Sequence, residues 1–144
     1  MLTPLNSIML DGDQVIFLPA FPPAMVTVQP GKLSGSGQTK IKGKKICLEG
    51  DEKKVKVANC MYMTPSFPVP GMGTLTIKKL MPNQLAKKAK HKKKILLKGT
   101  QFQAEFKVDQ KAQLITPGGP VQDPMPQYIG FGMLMPSNST TLGS

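Results

Sequence analysis

The sequence contains no tryptophan and no arginine, a single histidine and two cysteines among its 144 residues. Without arginine it lacks the rigid guanidinium fork that best grips phosphate or guanine, which disfavours a dedicated reader of nucleic-acid sequence. Two cysteines, Cys47 and Cys60, are too few for a disulfide framework. His91 stands among Lys90, Lys92, Lys93 and Lys94 with no carboxylate nearby in sequence, and no Ser–His or Cys–His arrangement forms by proximity. No catalytic residue is therefore assigned, and no enzyme is expected. Room for helices is also short, because 14 Gly and 14 Pro punctuate the chain. Pro19, Pro22, Pro23 and Pro30 interrupt the uncharged stretch from Gln14 to Gly31, so it cannot span a membrane as a helix. The first cation is Lys32, so no signal peptide is expected. The protein should be made in the cytoplasm and, if it acts outside, travel by a route other than general secretion.

What is present suits one small β-rich domain. Forty percent of residues are hydrophobic, enough for a core at this length without staples. We expect an all-β, turn-rich domain over residues 1–135, tapered and built of short strands and hairpins, followed by a disordered tail at 136–144. Alternating patterns predict strands at 14–18, 25–29, 38–42, 44–49, 53–58, 74–80 and 100–108. Residues 95–97 and 100–108 read as a hairpin around Lys98 and Gly99. The Pro-rich segment 64–73 reads as an extended loop whose X-Pro bonds are candidates for the cis form. The Gly- and Pro-rich stretch from Thr116 reads as a wrap over the sheet. A short surface helix near 83–91, with only Leu85 and Ala89 as its apolar face, competes with a basic loop there. The expected core is Ile41, Ile46, Leu48, Val55, Val57, Leu75, Ile77, Phe102, Phe106 and Val108. No strict internal repeat is evident.

The net charge of +11 is local. Nine of the nineteen Lys lie between Lys78 and Lys98, where there is no acid. The run 87–94 reads as a solvated face, as a contact for phosphate or an anionic membrane, or as a dock for an acidic partner. No aromatic lies inside it, which ranks nucleic acid below the other two. The Gly31–Lys40 stretch lacks the Gly-Lys-Ser/Thr ending of a phosphate loop. Cys47, Cys60 and His91 are weak candidates as zinc ligands, one short of a closed site, so no metal or other cofactor is assigned. Six methionines flank loops, as gap fillers or as an adaptable contact surface.

Residues 35–51 (GSGQTKIKGKKICLEGD) resemble the central signature of PAAR and PAAR-like proteins. Gly35, Ser36, Ile41, Gly43, Lys44, Gly50 and Asp51 fall in register with it without a gap. Lys45-Ile46-Cys47-Leu48 replaces the name-giving Pro-Ala-Ala-Arg stretch, Lys42 stands where Asn is usual, and the histidines that bind zinc in many members have no counterpart before Gly35. The resemblance implies a non-enzymatic spike-tip protein of a contractile injection system, of the type VI secretion or phage-tail-like kind. Such a protein caps a trimeric β-helical spike, one cap per trimer, sharpens it for membrane puncture and can carry effector cargo. It implies a near-threefold base, no specific nucleic acid and only transient contact with the target membrane. With no room for a toxin domain, this chain would be a bare tip or an adaptor, delivered outside or into a target cell. The alternatives are a small Lys-rich β-domain that binds nucleic acid or an anionic surface, and another baseplate component.

Overall fold

A computed structural model describes residues 5–90 and 93–137. The chain is all-β, as expected. Its strands are β1 (Gln14–Phe17), β2 (Ala20–Phe21), β3 (Ala24–Val26), β4 (Gly31–Lys32), β5 (Lys40–Ile41), β6 (Lys44–Lys45) and β7 (Lys56–Met63). They continue with β8 (Gly71–Lys79), β9 (Leu85–Lys90), β10 (Lys93–Leu96), β11 (Phe102–Gln110), β12 (Gln113–Thr116), β13 (Gly119–Gln122) and β14 (Gln127–Met135). Two single 3-10 turns, Asp51–Lys54 and Pro82–Gln84, are the helical elements among the described residues.

Eight strands form one antiparallel sheet in the order β2-β3-β7-β8-β11-β14-β1-β4. The sheet is strongly curled, and its first strand returns against its sixth. β1 and β2 belong to one extended run, so Phe17 pairs with Gly132 and the Leu18 N–H bonds to the Phe131 carbonyl at 2.9 Å. β2 then turns through the Pro22–Pro23 corner, where the cis peptide bond lies, to pair with β3. Among the described residues the cis bond falls there and not in segment 64–73.

The curl closes around an aromatic core. Phe17 meets Phe102 edge-on at 5.6 Å, Tyr62 packs on Phe106 at 5.2 Å, and Tyr128 packs on Tyr62 at 5.8 Å. At one end of this core the buried Asp123 carboxylate accepts the Tyr62 and Tyr128 hydroxyls at 2.8 and 2.6 Å. Tyr62 in turn accepts the Ala112 N–H at 2.9 Å, which ties the loop after β11 to the sheet. Burial pushes both phenols up, Tyr62 to about 12 and Tyr128 further, and Asp123 pushes the same way. Of the expected core, Ile46, Leu48, Val55, Leu75, Ile77, Phe102 and Phe106 are buried. Ile41, Val57 and Val108 are half-buried against it.

Four local expectations are corrected. The segment near 83–91 is no helix: after the Pro82–Gln84 turn it runs as β9, paired with β10, while His91 lies outside the described residues. A helix there would stack lysines at three- and four-residue spacings over a two-residue apolar face. The extended form instead buries Ala86 and packs Leu85 on the core. Residues 95–97 do not hairpin with β11, which pairs with β8 and β14. β7 begins at Lys56, because 51–54 is the 3-10 turn.

The stretch after Thr116 is no wrap. β12 and β13 form a hairpin, and β14 is an interior strand of the large sheet. Its glycines explain the misreading. A Cβ at Gly130 would meet Ala20 and Phe21, and one at Gly132 would strike the Phe102 ring and the Ile16 carbonyl. Small residues are needed there for close approach, not for a turn.

Gly132→Ala should therefore cost roughly 1–3 kcal/mol by overpacking, whereas Gly118→Ala, where an added Cβ would meet only Thr116 Oγ1 at an ordinary 3.8 Å, should be near neutral in urea denaturation. A second expectation concerns pH. Tyr62 and Tyr128 have folded pKa values raised above the unfolded value of about 10, so their stabilising share is complete below pH ~10. It is lost as pH climbs through the folded values, about 12 for Tyr62. Thermal melts should hold steady up to pH ~10 on this account and fall beyond it, and Asp123→Asn should shift that fall.

Candidate functional site

Three segments far apart in sequence meet in a closed triangle of main chain: Ser7–Asp11, Lys45–Glu49 and Lys94–Lys98. The Met9 N–H bonds to the Leu96 carbonyl (3.0 Å), Leu96 to Cys47 (3.0 Å) and Cys47 to Met9 (2.9 Å). A second set runs round the other way: Asp11 to the Lys45 carbonyl (2.7 Å), Glu49 to Lys94 (2.7 Å) and Lys98 to Ser7 (2.9 Å). The bridges Leu10–Ile46, Leu48–Ile95 and Leu97–Ile8 mark the three corners. Each segment is thus antiparallel to both others, and the ring has approximate threefold symmetry.

The sequence carries the same symmetry. The three stretches read Ile8-Met9-Leu10-Asp11-Gly12-Asp13, Ile46-Cys47-Leu48-Glu49-Gly50-Asp51 and Ile95-Leu96-Leu97-Lys98-Gly99-Thr100. They share Ile-x-Leu-x-Gly followed by Asp or Thr, a repeat that reading for strands and turns alone overlooks. The pattern has a physical origin. Alternation sends the middle residues Met9, Cys47 and Leu96, each fully buried, into the core of the large sheet. The flanking Ile and Leu residues form a second cluster with Ile41 and Ala86. The ring is a floor between two cores. After each Leu the chain must turn away, and Gly12, Gly50 and Gly99 do so at φ of 86, 105 and 59°, where a side chain would be strained.

The closing aspartates lock the turns. Asp13 accepts the Leu10 N–H at 2.7 Å, and Asp51 accepts the Leu48 N–H at 2.8 Å in the same way. Asp51 also receives the Ser36 N–H and hydroxyl, both at 3.0 Å, and Asp11 receives the Gly35 N–H at 2.8 Å. Gly35, Ser36, Gly50 and Asp51 are therefore brought together by one buried carboxylate and its neighbour. Ile41, Gly43 and Lys44 lie apart from that knot on the β5–β6 hairpin. Its two-residue turn places Lys42 at φ 53° and Gly43 at φ 81°, the backbone of a type I′ turn.

Both thiols are buried, and the third candidate ligand, His91, lies outside the described residues. Cys47 sits at the centre of its ring segment, where burial, and then Asp51, Asp13 and Asp11, push its thiol up. Cys60 lies on β7, raised by burial, with its Sγ donating towards the Val57 carbonyl at 3.6 Å. Metal ligation needs the thiolate that these surroundings disfavour. Among the described residues no group of three or more His, Cys, Asp or Glu is placed to hold a metal, and none of the helices is long and apolar enough to cross a membrane.

Comparison with known proteins returns a family model described as contractile injection system spike tip protein, matched over residues 5–144. No curated protein matches the chain.

The locking role of Asp51 sets a measurable contrast. Asp51→Ala removes a buried acceptor of three hydrogen bonds and should cost roughly 3 kcal/mol or more. Lys54→Ala, which removes only its half-exposed ion pair with the same carboxylate at 3.5 Å, should cost below ~1 kcal/mol in the same urea titration.

Proposed function

The chain belongs to the contractile injection system spike tip family, and from that membership we propose that the end of the molecule organised by its three-segment ring, outside the Ile and Leu cluster that covers the ring, docks on a trimeric spike. The family itself makes the protein a structural component associated with the spike; the ring is what supports the finer reading. Three identical chains present one motif three times, and a single chain meets them all only if it repeats its own geometry about the same axis. That constraint applies to the docking end alone. The curled eight-stranded sheet, which has no such symmetry, would then face away from the spike.

Threefold geometry carries this proposal. Six backbone hydrogen bonds of 2.7–3.0 Å hold it, so it does not depend on which side chains decorate the corners. One copy would occupy all three sites of a trimer and exclude a second. The reading assigns no catalytic step and no metal. The tip would act mechanically, passing contraction force to a small area of the target membrane as part of a particle assembled in the cytoplasm and delivered outside or into a target cell. Any effector cargo would ride on the outer face of the sheet, where Met25, Met61, Met63, Phe131 and Met133 are exposed and offer adaptable apolar contact.

Co-expressed with the spike protein of its own particle, the chain should co-purify as one copy per three spike chains, read from the mass of the intact complex. Equal stoichiometry, or no complex, would count against docking through the ring end.

A further inference from the structure

The lysines of this chain are concentrated where the ring meets its two hairpins. β5–β6 and its turn carry Lys40, Lys42, Lys44 and Lys45 within six residues, all exposed. The second hairpin, β9–β10, holds six Lys between Lys87 and Lys94, of which Lys93 and Lys94 are exposed. Neither hairpin contains a carboxylate. Lys45 and Lys94 are themselves members of the ring, and their carbonyls accept the corner bonds from Asp11 and Glu49. At the third corner the equivalent residue is Ser7, which is buried. Positive charge therefore borders two corners of the triangle, in excess over the ring's own exposed carboxylates there, Asp11 and Glu49.

Among the described residues no ion pair engages that charge. The ion pairs among the described residues, Lys54–Asp51 and Lys78–Glu105, lie outside both hairpins. Unbalanced like charges on adjoining hairpins repel one another in the free protein, and a partner that supplies anions relieves the repulsion.

We propose that the partner surface meeting this end of the molecule is acidic: the tip-facing end of the spike trimer presents carboxylates to Lys40, Lys42, Lys44, Lys93 and Lys94. This deepens the docking reading and rests on it. A protein trimer is favoured over a lipid surface or a nucleic acid because the lysines flank a threefold main-chain ring, an order that headgroups and polyphosphate backbones lack. The β5–β6 hairpin also offers no aromatic for base stacking. Lysine suits such a contact. Its compact charge on a flexible stem steers association at a distance without demanding the fixed bidentate geometry of arginine.

The test compares the full chain with two double charge reversals, Lys40→Glu/Lys44→Glu beside the ring and Lys107→Glu/Lys111→Glu at exposed positions elsewhere. Both carry the same net charge, and thermal melts establish that each is folded; Lys40→Gln/Lys44→Gln replaces the first if it is not. Binding to the purified spike trimer is measured between 50 and 300 mM salt, with anionic vesicles and duplex DNA as further probes. Wild-type affinity for the trimer should fall at least about tenfold over that salt range, and the ring-side variant should lose at least about tenfold at low salt. The distal variant should stay within about twofold. If the trimer binds wild type and ring-side variant alike, the acidic-partner inference is overturned while docking stands. If the ring-side reversal abolishes only vesicle or DNA binding, the lysines serve that surface and the inference is likewise overturned. If wild type fails to bind the trimer at any salt, the docking reading itself has failed.

Discussion

The structure depends on a main-chain ring that no single stretch of sequence could form alone. Because the six corner bonds use backbone N–H and carbonyl groups, closing the triangle fixes the direction of every side chain along its three edges. Middle residues must enter one core and flanking residues the other. A buried peptide group left unpaired is costly, so each edge needs both of the others to satisfy its backbone. The Gly12, Gly50 and Gly99 turns and the Asp13 and Asp51 locks follow from that closure, since each edge must leave the ring before it meets its neighbour.

One chain imitates a threefold object imperfectly, and the imperfections are informative. The third edge lacks the closing aspartate and has Thr100 instead. There the Leu97 N–H bonds to the Gln84 carbonyl at 2.8 Å, and Gln84 Nε2 donates to the Lys98 carbonyl at 3.3 Å. Gln84 is fully buried, and its Oε1 accepts the Met81 N–H at 2.9 Å. A neighbouring 3-10 turn thus supplies from outside the edge what a carboxylate supplies within it elsewhere. The geometry is kept while the chemistry that secures it changes.

The alternation of Phe102, Ala104 and Phe106 identifies β11 directly, because a strand buried on one face repeats every two residues. The strands expected at 38–42 and 44–49 likewise leave Gly43 between them, where the turn of the β5–β6 hairpin lies. β14 was not, since Gly130 and Gly132 answer to Phe21 and Phe102 across the sheet, partners invisible in the run itself. β9 was hidden because its pairing with β10 outweighs its local pattern. The ring was half legible. Residues 35–51 drew attention to one edge, and the Ile-x-Leu-x-Gly pattern at 8, 46 and 95 was available to a comparison of the chain with itself. Unequal spacing between the copies, with β-strands of the large sheet inserted between them, concealed it from a search for regular periods.

Backbone closure also accounts for how far the signature departs from the family it resembles. Lys45-Ile46-Cys47-Leu48 stands where that resemblance places Pro-Ala-Ala-Arg, yet this is the edge that donates from Cys47 and accepts at Lys45 and Cys47. A proline could not donate such a bond, but at the Lys45 position the ring uses only the carbonyl. What the edge requires of its side chains is an apolar residue either side of a buried one, followed by glycine at positive φ and an acceptor for the Leu48 N–H. Ile46, Cys47, Leu48, Gly50 and Asp51 meet those terms. A tip built on main-chain symmetry is free to vary its decoration while its shape, and with it the match to a threefold partner, is held by bonds that sequence change touches least.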